Sequence, residues 1–490
     1  MTHLSLLVSA LLLTLAVAIW GIIDPVGLGD LAARQTKTVF ESRGWFVMIT
    51  ASVLLLSAFA LILGRRGDIK IGRDDDEPEF STISWLTMMF AAGMGVGLLF
   101  YGASEPVSHL LFVASGTPGP QNASDALFIT IFHWGLHAWA IYGMTGLIIG
   151  YFAFRCGTPQ TMSAPIRDVF GGDRWTQPVG WLIDLLSIYA IAIGLAGSVA
   201  MGVFQVRDGI SALLGENTFA SLPLLVFAVL VVSYMFPLTV DLGSGMGRLS
   251  NTAIAVTVGL MLYILLVGPT SLLMDVITDA TGTYFANVLP QGFRTYPFFD
   301  EATQDWFGTW TLNYMVWWLA WSPFVGVFIA RISRGRTIRE FLMGVLLVPT
   351  VFSLFWFGVL GAATFSFVRG GQIDPALVRS DVDQSLFLLL DALPLTALTT
   401  VAVVVAAFLF LVTSVVSAAY VLAMFSTGAR GEPSTRLKLI WGAILGALAL
   451  AMILSDSVSA VRQIIGVSAG PFVFIVLLLL VCFVRRLRKE

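Results

Sequence analysis

Charge is what this chain has least of. Asp, Glu, Lys and Arg together make up 12% of its 490 residues, about half the share of an ordinary soluble domain. So few charges cannot cover a water-facing surface, and 57% of the residues are hydrophobic. Cysteine is nearly missing: Cys156 and Cys482 stand far apart, which excludes a disulfide scaffold. Histidine is limited to His3, His109, His133 and His137. The net charge is −3 and no long basic stretch occurs, so no nucleic-acid partner is expected. Long polar stretches are wanting too, which excludes a sizeable soluble domain or a disordered chain. What remains is an all-α polytopic membrane protein, surrounded by lipid.

Apolar runs longer than about 18 residues read as membrane-spanning helices. Twelve occur, at 4–23, 45–64, 81–103, 125–154, 179–206, 219–238, 252–274, 309–330, 340–366, 390–425, 438–455 and 464–484. The first follows Met-Thr-His without a basic lead, so it reads as a retained helix and not a signal peptide. The 390–425 run exceeds one span, so its first turns lie in the interface or tilt. With both termini in the cytoplasm, inside segments hold 19 of the 27 Lys and Arg and outside loops hold 8, Arg462 among them. On this count no Lys or Arg lies well inside a span. Four segments follow: two accessory helices in 1–80, five helices in 81–274, an amphipathic outer segment in 275–308, and five more helices with a short tail in 309–490.

Four stretches are more than lipid-facing filler. Gly93, Gly95 and Gly97 weaken one helix, at about 1 kcal/mol each. They serve either close helix packing or a discontinuous helix whose freed carbonyls ligate a cation. Trp134, Trp139 and Tyr142 fall within an arc of about 140° at 100° per residue. They either pack or form part of an aromatic cage for a quaternary ammonium. Tyr314, Trp317, Trp318 and Trp321 share an arc of about 100°. Pro323 and Gly326 follow and predict a bend or break. Two interrupted helices opening two sets of five predict an inverted-repeat transporter. Thr413 and Ser414 either bond back to their own helix or ligate a hard cation, which takes oxygen. His133 and His137 have the i, i+4 spacing of a metal or haem pair, but no Cys or third His stands near them in sequence. Glu105, Asp184, Asp241, Asp391 and Asp456 lie in or near spans, all but Asp184 near predicted ends.

These motifs resemble the betaine/choline/carnitine transporter family. Its signature is matched by Trp310-Thr311, by Trp317-Trp318-Leu319-Ala320-Trp321-Ser322-Pro323-Phe324-Val325-Gly326, and by Ala330-Arg331 through Glu340-Phe341. Gly93 to Gly97, Tyr101-Gly102, Glu105-Pro106, His133-Trp134, Ala138 to Tyr142, Leu249-Ser250-Asn251 and Thr413-Ser414 match as well. The resemblance covers essentially the whole chain. It implies twelve helices with a LeuT-type core of five-plus-five inverted repeats after two extra helices. It further implies alternating access, a homotrimer, and residence in the bacterial cytoplasmic membrane with both termini inside.

The family's substrate box maps onto Trp134, Trp139, Tyr142 and Trp318, with Trp317 and Trp321 on the cytoplasmic route and Met94 and Gly97 beside the box. Its main sodium site maps onto the carbonyls of Ala91, Met94 and Phe410 and the hydroxyls of Thr413 and Ser414. A second sodium site would use Ile191 and Leu195, whose side chains cannot ligate the ion. Sodium-independent members place a cationic side chain near the main site. None is expected here, so sodium is the implied coupling ion and no other cofactor is implied. Choline carriers have an acid where this chain has Gly97, so a zwitterion such as glycine betaine fits better. Carnitine-like or sulfonium betaines, choline, and sodium-independent exchange are the alternatives. Three departures stand out: Asn313-Tyr314-Met315-Val316 before Trp317, Val415-Val416 after Ser414, and a tail of only Arg485 to Glu490 where osmosensing members carry a long charged one, so sensing of osmotic stress by such a tail is not expected. A transporter, not an enzyme, is expected; the rivals are a membrane redox enzyme using His133 and His137, and a channel.

Overall fold

The computed structural model describes residues 3–93, 95–112, 123–171, 173–215, 219–240, 243–380, 384–429 and 431–490. Among them the chain is helix and connection, with one isolated bridge between Lys70 and Thr337. The helices are α1 (His3–Ile23), α2 (Pro25–Leu63), α3 (Thr82–Gly93), α4 (Val96–Leu110), α5 (Ala123–Trp134), α6 (Leu136–Gly150) and α7 (Ala164–Phe170). Then come α8 (Thr176–Leu214), α9 (Leu222–Thr239), α10 (Gly243–Val267), α11 (Thr270–Gln291), α12 (Glu301–Phe307) and α13 (Asn313–Arg331). The chain continues through α14 (Ile338–Arg369), α15 (Pro375–Ser380), α16 (Ser385–Asp391), α17 (Thr396–Ser426), α18 (Thr435–Leu454), α19 (Val458–Ala469) and α20 (Phe472–Leu487).

Among the described residues, ten helices are long and apolar enough to cross a membrane, and α19 with α20, joined at a 40° bend, makes an eleventh. The sequence predicts twelve. The one without a counterpart is 81–103, built as α3 of 12 residues and α4 of 15 on either side of an extended Gly95 (φ −123°, ψ −154°). Neither piece alone spans the roughly 30 Å of a hydrocarbon core at about 1.5 Å per residue. The outward faces are apolar, as lipid requires: Leu12, Val232, Leu266 and Leu398 are all exposed.

Two further interruptions differ from expectation. Of the bend or break predicted at Pro323 the break is absent, for α13 runs through it to Arg331. Gly326 instead allows α13 to cross α6 closely: a Cβ there would lie 3.1 Å from Thr145 Cγ2 and 3.2 Å from the Gly146 nitrogen. A break does occur in the predicted 125–154 span, at Gly135 (φ −102°, ψ −138°), between α5 and α6. The Leu136 N–H freed there donates to the Tyr284 hydroxyl of α11 at 2.9 Å. A buried donor without such a partner would cost about 1–3 kcal/mol. Leu273, Ile277, Ala280, Tyr284 and Val288 form the one buried stripe along α11.

The signature stretch after α13 folds into a clasp. Thr337 caps α14 by accepting from the Glu340 N–H at 3.1 Å. Ile71 N donates to Arg336 O at 2.8 Å, and Ile338 N donates to Ile69 O at 2.9 Å, tying this loop to the one after α2. Arg334 adds two hydrogen bonds to Asp76, at 2.8 and 3.0 Å. That guanidinium holds the Asp76 carboxyl below its usual range. Arg336 lies 4.1 Å over the Trp85 ring.

Candidate functional site

The discontinuous helix, α5, α6, α8, α13 and α17 converge on one cavity. Its empty space is about 540 Å³, part of it open to solvent. Gly95 and Gly97 form one wall, Trp134 and Tyr142 another, and Tyr314, Trp317, Trp318 and Trp321 a third. Leu195 and Ser198 of α8 and Leu411 and Ser414 of α17 complete it. The rings meet mainly edge to face. Trp134 and Trp318 are 5.2 Å apart at 81°, and Tyr142 and Trp318 are 5.3 Å apart at 84°. This is the offset that aromatic quadrupoles prefer. Tyr314 stacks obliquely beside Trp317 and Trp318 at 6.0 and 6.5 Å.

The polar edges of two of these indoles are committed to protein. Trp134 Nε1 donates to Glu105 Oε2 at 2.8 Å, and Trp318 Nε1 donates to the His133 carbonyl at 2.8 Å. Their positions are therefore fixed from behind. Gly97 allows the approach of Trp134, since a Cβ there would lie 3.3 Å from Trp134 Cη2. Among the described residues the cavity walls carry no charged side chain.

Of the residues expected in the box, the structure brings together Trp134, Tyr142 and Trp318, and the same cavity is lined by Trp317 and Trp321, expected on the cytoplasmic route, and by Gly97, expected beside the box. Trp139 does not line the cavity. It is fully buried behind Tyr142, with ring centres 5.6 Å apart at 89°. The angular count assumed one straight helix, and the break at Gly135 separates Trp134 from Trp139. Tyr314, part of the predicted aromatic arc but not of the predicted box, is a wall of the cavity.

Of the expected sodium ligands, Met94 lies outside the described residues, and of Ala91 only the helical backbone is described. Phe410, Thr413 and Ser414 lie together on α17. The Thr413 hydroxyl donates to Leu409 O at 3.0 Å and Phe410 O at 3.1 Å, so its proton is held by the preceding turn. Its lone pairs are not used in those bonds. Ser414 reaches the cavity itself.

Beside the cavity lies a polar network that sequence reasoning missed. Glu105 was placed near a helix end, yet it is 0% exposed. Its carboxylate faces His133 Nδ1 at 2.7 Å and His109 Nε2 at 3.4 Å, and accepts from Tyr314 Oη at 2.5 Å. Arg462 was assigned to an outside loop, and this is corrected. It is buried on α19, donates to Tyr101 Oη at 2.8 Å, and lies 4.9 and 4.7 Å over the Tyr101 and Trp310 rings. Tyr101 in turn touches Trp134 and Trp317, each at 6.1 Å. The lone acid in an apolar run was the available signal for Glu105. Arg462 escaped because α19 begins at Val458, earlier than the apolar run suggests.

His133 and His137 do not act as a pair. His133 faces Glu105 and, through Nε2, Thr311 at 2.9 Å, whereas His137 faces Ser52 at 3.4 Å. Glu105, His109 and His133 do place three potential ligand atoms within 4.8 Å of one another. The Trp306 Nε1 donates to His109 Nδ1 at 3.1 Å, however. In the neutral ring Nε2 then carries the proton and donates to Glu105, which suits a hydrogen-bond network and not a metal centre. Asp184 is likewise absorbed locally, accepting from the Ser163 N–H at 3.0 Å and hydroxyl at 2.6 Å.

The model of the betaine/carnitine/choline transporter family matches residues 5–490. The chain belongs to that family. It is 37% identical over 480 residues to the glycine betaine transporter OpuD of Bacillus subtilis, covering 98% of this chain and 93% of that one. A probable glycine betaine transporter of Desulfitobacterium hafniense is 33% identical over 475 residues, 96% of this chain and 94% of its own. The ectoine/glycine betaine/proline transporter EctP of Corynebacterium glutamicum is 33% identical over 469 residues, 92% of this chain and 75% of its own. The resemblance read from the motifs is thereby borne out, and the chain is a multi-span membrane protein of a transporter family.

Proposed function

We propose that this family member takes up a small zwitterionic quaternary-ammonium solute, glycine betaine first among them, by sodium symport with alternating access. The supporting observation is the aromatic cavity. A trimethylammonium group donates no N–H hydrogen bond, so it is recognised by ring faces, each contributing about 0.5–2 kcal/mol. Trp134, Tyr142, Tyr314 and Trp318 supply such rings in one place, with the indole N–H groups of Trp134 and Trp318 held by protein acceptors. Relatives named as glycine betaine transporters support the substrate class. Gly97 offers no counter-charge, which favours a solute carrying its own carboxylate. On this reading Phe410, Thr413 and Ser414 of α17, with Ala91 of α3 and Met94, next in sequence after that helix, hold sodium across the two repeats. That ion couples α3–α10 to α13–α20 in a LeuT-type core, assembled as a homotrimer in a bacterial cytoplasmic membrane.

One observation favours a second reading, sodium-independent exchange of betaines. Arg462 is a buried cation separated from Trp134 and Trp317 by the Tyr101 ring. It does not line the cavity that Ser414 reaches, however. Titrating the purified protein with glycine betaine, followed by tryptophan fluorescence, distinguishes the two. Saturable binding that is tighter in sodium than in potassium chloride is expected for symport. Equal binding in both salts contradicts the sodium assignment, and no binding in either contradicts the box.

A further inference from the structure

Glu105 ties together two neighbouring rings of the cavity that come from different helices, with centres 5.6 Å apart. Its Oε2 accepts both from Trp134 Nε1 on α5, at 2.8 Å, and from Tyr314 Oη on α13, at 2.5 Å. Both donors belong to cavity walls. Its Oε1 faces the two imidazoles, and His109 is itself held by Trp306. The carboxylate therefore sits one ring behind the place a bound cation would occupy, without touching it.

Two consequences follow from this arrangement. Hydrogen bonds to an ionised acceptor are short and strong, so the angle between the Trp134 and Tyr314 rings is set by one group. Such bonds also polarise their donors. An indole N–H and a phenol O–H donating to a carboxylate push electron density into their rings, and cation attraction to a ring face is electrostatic. The negative charge adds to the same field, in a site where solvent screens little.

We infer that Glu105 is the positioning residue that makes this aromatic box selective for a positively charged head group over an isosteric neutral one. The inference rests on the reading of the cavity as a betaine site. Its test compares glycine betaine with 3,3-dimethylbutanoate, in which a carbon replaces the ammonium nitrogen at nearly the same shape. Affinities for both are measured by fluorescence titration on the purified full chain, wild type and Glu105→Gln.

The amide keeps one acceptor oxygen for the two donors and removes the charge. Betaine affinity is expected to fall about tenfold, the scale of one charge-assisted hydrogen bond. Affinity for the neutral-headed analogue is expected to hold or rise, so the preference for betaine shrinks at least about tenfold. A parallel loss for both ligands would show that Glu105 only maintains shape and would overturn the inference. Unchanged betaine affinity would overturn it as well. If Glu105→Gln does not fold, Tyr314→Phe removes one O–H donor and leaves the ring. It should lower betaine affinity by a smaller factor but in the same selective sense, and an equal loss of both ligands in that variant would likewise overturn the inference. Wild-type protein that binds no betaine removes the box reading itself, and this inference with it. Wild-type binding together with a parallel loss of both ligands in Glu105→Gln, or with no loss of betaine affinity there, removes the inference alone.

Discussion

Trp318 touches Trp134 on one side and Tyr142 on the other, and its N–H is fixed on the His133 carbonyl. Truncating it takes the central ring from the box and leaves that carbonyl without its donor. Trp318→Ala is expected to weaken betaine binding at least roughly tenfold, about 1.4 kcal/mol, the scale of a desolvated cation–π contact. Fluorescence or radioligand titration reads this directly, and an unchanged affinity would dismiss the box. On α17, Thr413 and Ser414 present oxygen within one turn of the Phe410 carbonyl. The double substitution Thr413→Ala with Ser414→Ala should raise the sodium concentration needed for half-maximal uptake. An identical sodium response in the double variant would mean that the ion sits elsewhere. Trp134, Tyr142 and Trp318 were legible because aromatic rings that deep in an apolar run are not explained by the interfacial belt and match the family's motif. Trp139 was misplaced because periodicity says nothing of where a helix breaks. Glu105 and Arg462 were not legible as partners of the box, because their contacts join helices far apart in sequence.

The elements around the cavity are held by contacts at their ends and interruptions. Tyr284 satisfies the Leu136 N–H at the α5–α6 break, where a Cβ on Gly135 would lie 2.4 Å from that hydroxyl. Tyr284→Phe keeps the ring and removes the acceptor. It should lower stability by about 1–3 kcal/mol, seen as an earlier thermal unfolding midpoint in detergent. A midpoint equal to wild type would show that another group, or water, serves that N–H. The clasp between the loops after α2 and α13 adds a pH dependence. Arg334 depresses the Asp76 carboxyl in the folded protein. A depressed acid contributes stability that is present above its unfolded value, near 4, and is lost as pH falls through the lower folded value. Amide exchange at Ile71 and Ile338 should therefore be slower in wild type than in Asp76→Asn at neutral pH, with the difference vanishing in strong acid. A difference that persists at low pH would show that the carboxylate charge is not what holds the clasp.

At the scale of the whole molecule, hydropathy found the helical content and most of the crossings. Among the described residues ten helices qualify as spans alone and the α19–α20 pair makes one more, against twelve predicted. The discrepancy falls on 81–103, where glycines at 93, 95 and 97 make α3 and α4 two short pieces around Gly95. An interruption at the centre of a bundle has a physical use: it frees backbone groups where an ion or solute can meet them. Gly95 and Gly97 are indeed in the cavity wall, facing rings from α5 and α13. At Pro323, by contrast, α13 continues without a break, and Gly326 three residues on packs closely on α6. Local sequence shows where a helix is weak, and packing decides whether it breaks.

On the proposed reading the cavity serves sodium-coupled transport of a betaine. Purified protein in liposomes, given labelled glycine betaine with and without an inward sodium gradient, tests it most directly. Saturable accumulation that requires the gradient and collapses when sodium is equal on both sides is expected. Uptake that ignores sodium but rises when betaine is loaded inside would contradict it, leaving Thr413 and Ser414 as hydroxyls bonded to their own helix and the protein as an exchanger.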